Sequence, residues 1–267
     1  MNAALIVQRK SDICAVKFRI LIEKDSKMAG LGTIINTAAI VIAGLLGLLF
    51  GKLLKKSMQQ TLITATGVCV LFIGIGGALE EMMTLTEGKL VSGGSMMMIG
   101  CFVLGSLVGE WIDIEQRLEQ FGAWLKVKTK SDGDVGFIDG FVTASFTVCI
   151  GAMAVVGAIQ DGISGDYSLL LAKAVLDFII IFVMTSSMGK GCIFSAIPVA
   201  VFQGGVTLLS RVIEPLLTER ALSNLSLTGS ILIFCVGVNL IWGKKVKVAN
   251  MLPTIVFAVV WALVLEG

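Results

Sequence analysis

From residue 31 to the end, the chain alternates long apolar runs with short polar turns. The runs fall at about 31–51, 61–79, 93–112, 138–160, 168–187, 191–210, 226–243 and 250–266. Each approaches the ~20 residues that an α-helix needs to cross ~30 Å of hydrocarbon. The pattern predicts an all-α, polytopic membrane helix bundle with seven to eight transmembrane segments. The count stays open because the last run also suits a hairpin or an interfacial piece. Residues 28–267 read as a single membrane domain. Residues 1–27 are different in kind: a basic N-terminal extension carrying Arg9, Lys10, Lys17, Arg19, Lys24 and Lys27, with no span-length apolar run.

Charge gives the bundle an expected orientation. The loops 52–60, 113–137, 188–190 and 244–249 hold eleven Lys and Arg, whereas the opposite loops hold three, beside the acidic Glu80, Glu81, Glu87, Asp161 and Asp166. By the positive-inside rule the first set is cytoplasmic and both termini lie outside. A basic tail of six positive residues would conflict with that. Two readings stand, a cytoplasmic tail or a start codon placed too early, and a chain beginning at Met28 removes the conflict. In the longest loop Trp111, Ile114, Leu118, Phe121 and Leu125 recur at three- and four-residue steps between charges. This predicts an amphipathic helix at about 111–127 lying in the cytoplasmic interface.

Composition narrows the functional classes. The chain is 56% hydrophobic and only 15% charged, with a mean hydropathy of +0.94, far from the quarter of charged residues usual in soluble domains. There is no histidine, which removes the commonest general base and metal ligand. The six cysteines stand singly, five of them inside apolar runs, and read as small packing residues. No cofactor, metal site or catalytic residue is expected, and nothing in the charge pattern points to nucleic acid. The expected partners are the lipid bilayer and a small solute or ion, with self-association as a homo-oligomer left open.

The informative residues are polar ones inside the apolar runs, because a charge at membrane depth costs several kcal/mol unless it faces protein or water and has a partner. Asp177 lies about nine residues into its run, close to the midplane, with Lys173 one helical turn before it. The carboxylate reads either as a proton- or cation-coupling group or as half of a structural ion pair. Lys173, nearer the outer end, also suits snorkelling. Gln160 and Asp161 end the fourth run beside Gly162, as a solute-facing helix end or an ordinary helix stop. The sixth run contains Pro198, Gln203, Gly204 and Gly205, and the prediction is a broken or re-entrant helix, tolerated at that depth only where it is buried or lines a cavity. Asn36 and Asn239 read as pathway residues or interhelical hydrogen-bonding groups, as does Glu110.

The segment Val68-Cys69 to Glu80-Glu81 matches Val148-Cys149 to Gln160-Asp161 without a gap, and Thr66-Gly67 echoes Thr228-Gly229. If the first three runs correspond to the last three, the two triplets have opposite orientation, giving an inverted three-helix repeat of the kind seen in transporters. Apolar, glycine-rich sequence also produces such matches by chance. The runs GTIINTAAIVIAGLLGLLFG (32–51), CIGAMAVVGAIQDGISGDYSLLLAKAVLD (149–177), FSAIPVAVFQGGVTLL (194–209) and VANMLP (248–253) resemble the YqgA/YdfK group of bacterial integral membrane proteins, a domain-of-unknown-function family. The likeness covers the chain from Met28 onward and is specific around Gln160-Asp161-Gly162 and Phe202-Gln203-Gly204. Residues 1–27 depart from it. It implies a bacterial inner membrane location and carries over no catalytic residues. Three functional classes remain: a secondary transporter or permeation pathway, an assembly or regulatory protein acting through its surface, and an intramembrane enzyme. For the last, the Gly-x-Gly-Asp pattern of a membrane aspartyl protease is absent.

Overall fold

A computed structural model describes residues 29–265, apart from 87–88, 132 and 135. The basic extension and the proposed start at Met28 therefore lie outside the described residues. Helices α1 (Leu31–Gly51) and α2 (Lys56–Met82) form the first hairpin. At its far end the short strands β1 (Met83–Thr86) and β2 (Lys89–Ser92) pair antiparallel, Met83 opposite Ser92 and Thr86 opposite Lys89. This ribbon is the one departure from the expected all-helical chain among the described residues. Helix α3 (Ser95–Ile112) turns at Asp113, φ 53°, into α4 (Ile114–Lys128). Then come α5 (Phe137–Cys149), α6 (Ala152–Ser164) and α7 (Ser168–Met188). A 3-10 segment, Lys190–Ser195, runs directly into α8 (Ala196–Leu208) and the single turn α9 (Ser210–Ile213). Helix α10 (Glu219–Trp242), the turn α11 (Val248–Met251) and α12 (Pro253–Leu265) complete the bundle.

Six of these helices are long and apolar enough to cross a membrane, the 3-10 segment and α8 counting as one. Helices α5 and α6, bent by 61° at the break between them, pass the same test as a pair and bring the number to seven if they count as one span, and Val248–Val264 is apolar but shorter. The uncertain last run of the sequence is thus the short one. The surface agrees: Leu45, Leu49, Phe72, Leu104, Leu107 and Val201 are all exposed. Around a bundle with such helices these side chains face lipid, where apolar exposure costs nothing.

With no hydrophobic drive between helices in lipid, close packing has to hold them, and glycine permits it. Helix α1 packs along α7, α2 along α10 and α3 along α12. A Cβ at Gly47 would lie 2.5 Å from the Phe182 carbonyl oxygen, and one at Gly74 would lie 2.5 Å from the Phe234 nitrogen. Gly109 of α3 leaves room for the Asn250 carbonyl in the same way. The matched segments 68–81 and 148–161 differ in form, since the first runs through unbroken α2 and the second crosses the bend between α5 and α6.

The basic loops meet at one end of the bundle. Lys244 pairs with Glu115 (2.7 Å) and with Glu119, and Lys247 pairs with Glu110 (2.5 Å). Burial works to lower the pKa of Lys244, but its hydrogen bonds to Glu115 and Glu119 outweigh this and raise it. The Lys190 amide donates to Asp134 (3.0 Å) at the same end. Helix α4 lies there too, yet its apolar stripe divides. Ile114, Leu118 and Leu125 turn toward the bundle core. Trp111 is 87% exposed and Trp124 faces outward, while Phe121 lies between, its ring 5.7 Å from Trp124 and 5.8 Å from the buried Phe141.

The predicted break at Pro198, Gly204 and Gly205 is not where the helix breaks. Helix α8 runs unbroken through all three. Pro198 is the third residue of α8, just past the change from the 3-10 pattern of Lys190–Ser195, and the helix continues through it without a break. The break lies at Ile150–Gly151, between α5 and α6. Gly151 adopts φ 142°, ψ 148°, a conformation that residues with a Cβ rarely reach.

Candidate functional site

Helices α1, α7 and α8 bring a line of buried polar side chains together in the half of the bundle away from the basic loops. Asp177, near the middle of α7, is 4% exposed, and Lys173, one turn away on the same face, is 6% exposed. The Lys173 ammonium lies 2.5 Å from Asp177 Oδ2 and donates to the Val148 carbonyl at 2.7 Å. The snorkelling reading of Lys173 is therefore wrong: the side chain turns inward, to the end of the half-helix α5. The physical reason is the bend. It leaves the last carbonyls of α5 without intrahelical donors, and an ammonium at a helix C-terminus satisfies one of them and meets the negative end of the helix dipole.

Asn36 of α1 connects this pair to α8. Its Nδ2 donates to Asp177 Oδ2 (3.0 Å) and to Gln203 Oε1 (3.2 Å). The carboxylate can only accept, so it fixes which way the Asn36 amide points. Two atoms are then left over, since Asn36 Oδ1 and Gln203 Nε2 are buried without a hydrogen-bond partner. One turn further out, the Thr33 and Thr207 hydroxyls face each other at 3.4 Å. Beyond them Asp161 Oδ2 accepts from the Gly32 amide (3.0 Å), while Asp161 Oδ1 has no partner. Gly30, the residue before α1, supplies no side-chain cap. Asp161 does so from α6, answering the exposed amides of the first turn.

The structure thus groups Asp177, Lys173, Asn36, Gln203 and Asp161, and leaves out two residues expected with them. Gln160 is exposed, on the other side of α6 from Asp161; adjacent helical residues point about 100° apart, so only one of the two can face inward. Asn239 sits at the basic end, where it donates to the Val246 carbonyl (2.7 Å) and accepts from the Lys245 and Val246 amides (2.9 Å each). It holds a loop. Thr33 and Thr207 were not singled out from the sequence, because single hydroxyls in apolar helices are too common to signal. Asp166 lies outside the line and turns the chain into α7, its carboxylate held below the usual range by hydrogen bonds from Ser168.

Two cavities follow the bent helix on its other side. One, of about 280 Å³, opens at the basic end and is lined along α5 by Asp139, Val142, Thr143 and Phe146. The other, of about 200 Å³, lies against the bend and is lined by apolar groups that include Cys149, Val155, Phe202 and Leu225. Asp177 itself is closed in, with the interrupted helix beside it.

A family model described as a protein of unknown function, DUF554, matches residues 31–263. The chain is 29% identical over 224 residues to the uncharacterized membrane protein YdfK of Bacillus subtilis, covering 84% of this chain and 92% of that protein. It is 26% identical over 232 residues to the uncharacterized protein YqgA of Escherichia coli, covering 85% of this chain and 94% of that protein. No solved structure matches it.

Proposed function

The chain belongs to the DUF554 family, and from that premise and its buried polar line we propose that it is a secondary transporter or permeation pathway for a small solute or ion, coupled to protons or a monovalent cation at Asp177. The observation that carries the reading is the Lys173–Asp177 pair, seated against the broken end of α5 and continued outward by Asn36 and Gln203 with unspent hydrogen-bonding capacity. Evolution seldom retains ionisable groups at membrane depth without a task. A carboxylate beside the C-terminal carbonyls of a half-helix is the arrangement that coordinates cations in transporters with interrupted helices.

In this reading Lys173 is a tethered cation that occupies the site in the closed state. A proton or metal cation reaching Asp177 neutralises the carboxylate and releases the ammonium. The polar line from Asp161 through Thr33 and Thr207 marks one approach, from the end away from the basic loops, and the cavity along α5 marks the other, from the basic end, stopping short of the enclosed pair. The excess of basic residues supports a cytoplasmic position for the loops 52–60, 113–137, 188–190 and 244–249, with the Gly30 end and the end of the last helix outside. Both relatives come from bacteria, which supports a location in the bacterial inner membrane.

The test is flux in reconstituted vesicles. Proteoliposomes loaded with a pH-reporting dye are given an inward sodium or potassium gradient, and proton movement is recorded with and without the protein. The expected result is protein-dependent proton flux that Asp177→Asn removes, while the variant still elutes as a folded species. Flux unchanged by Asp177→Asn, or none above protein-free vesicles with either cation, overturns the reading.

A further inference from the structure

The cavity at the basic end is acidic inside, and the transport reading does not use its charges. Its wall includes three carboxylates, Glu115, Glu119 and Asp139, and one ammonium, Lys244. Glu115 is the least expected of them. In the sequence it lies on the charged side of an amphipathic helix, yet it is only 5% exposed. Its Oε1 takes Lys244 at 2.7 Å, and its Oε2 is buried with no partner. A buried carboxylate oxygen left unpaired is costly, because its lost hydration is not replaced. The rest of the lining is apolar or neutral: Ile63, Val142, Phe146 and Leu240 form walls, with Thr143 and Gln60 between them.

We propose that this cavity binds a small organic dication, an aliphatic α,ω-diamine, with one ammonium on Glu115 and the methylene body against Val142 and Phe146. The charge argument is that three carboxylates face one ammonium in the wall, and Lys247, the other lysine near Glu115, is itself paired with Glu110. At about 280 Å³ the space is at the lower end for ligand pockets, which suits a short chain better than a ring system. The walls favour methylenes over a hydrated inorganic ion. Lys244 already reaches the same two glutamates, so it behaves as a built-in competitor that an incoming ammonium displaces.

The binding test is separate from flux, so either reading can fail alone. Purified protein in lipid nanodiscs is titrated calorimetrically with 1,4-diaminobutane, with 1-butanol as the uncharged control. Saturable binding of the diamine and none of butanol is expected. Glu115→Gln and the exposed-site variant Asp139→Asn should each weaken affinity by about tenfold or more, the scale of one lost charge-assisted contact. Lys244→Met should tighten it. Absence of saturable diamine binding, equal binding of butanol, or affinity unmoved in all three variants overturns the proposal. Asp139→Asn keeps the test decisive if Glu115→Gln does not fold.

Discussion

At the scale of single residues the central question is what the Lys173–Asp177 pair does for the fold. Removing one partner of a buried pair strands the other charge and costs about 3–5 kcal/mol, whereas replacing both by apolar groups is often neutral. Lys173→Met alone is therefore expected to lower the thermal unfolding midpoint in detergent sharply. The double variant Lys173→Met/Asp177→Leu is expected to recover most of that loss while remaining inactive in proteoliposomes. A double variant that transports would mean that the pair is structural. Much of this site was legible as letters, because Asp177, Lys173, Asn36 and Gln203 each stand out in apolar runs. Direction was not legible. Gln160 and Asp161 are neighbours with similar chemistry, and only the packing of α6 against α1 decides that Asp161 turns in. Glu115 was hidden for the opposite reason, since charged residues on an amphipathic helix are ordinarily solvated.

At the scale of elements, the break shows how a correct principle can point to the wrong place. Proline and paired glycines are the usual interrupters, and Pro198 with Gly204-Gly205 carries both signals. Helix α8 continues through Pro198, however, and a Cβ at Gly204 or Gly205 would meet nothing within 4 Å. At Gly151 a Cβ would make only an ordinary contact, 3.8 Å from Ile233 Cδ1, so the constraint there is in the backbone. Gly151→Ala is expected to destabilise the protein by about 1–3 kcal/mol through that strained conformation. Gly204→Ala and Gly205→Ala should be neutral or stabilising by up to about 1 kcal/mol, as alanine favours helix over glycine. Thermal unfolding of the three variants checks this, and the reverse order would place the working bend in α8. Helix α4 taught the same lesson about periodicity. Its three- and four-residue spacing marked the helix, but could not tell the residues that enter the core from Trp111, which looks outward.

At the scale of the whole molecule, hydropathy and charge carried furthest. Most spans fall within a few residues of their predicted limits, because chain length in a bilayer is fixed by its thickness, while α2 and α10 begin earlier than predicted, at Lys56 and Glu219. The basic loops do share one end, as their alternation required. The hairpin of β1 and β2 was not foreseen, being only four residues a side and fully peripheral. Orientation is checked with single-cysteine reporters at exposed positions. Lys245→Cys should react with a membrane-impermeant maleimide in inverted vesicles only, and Lys89→Cys in right-side-out vesicles only. The opposite labelling would turn the molecule over and reverse the direction assigned to both approaches.

The carboxylate of Asp161 on the first turn of α1 has a mechanical consequence. A hinge at Gly151 does not free the outer segment α6 to swing by itself, because that segment is latched to α1 through the Gly32 amide. A tilt of α6 that kept this hydrogen bond would carry the first turn of α1 with it, and four residues along α1 stands Asn36, which donates to Asp177. The position of α6 and the hydrogen bonding of the central acid therefore meet on one helix, α1.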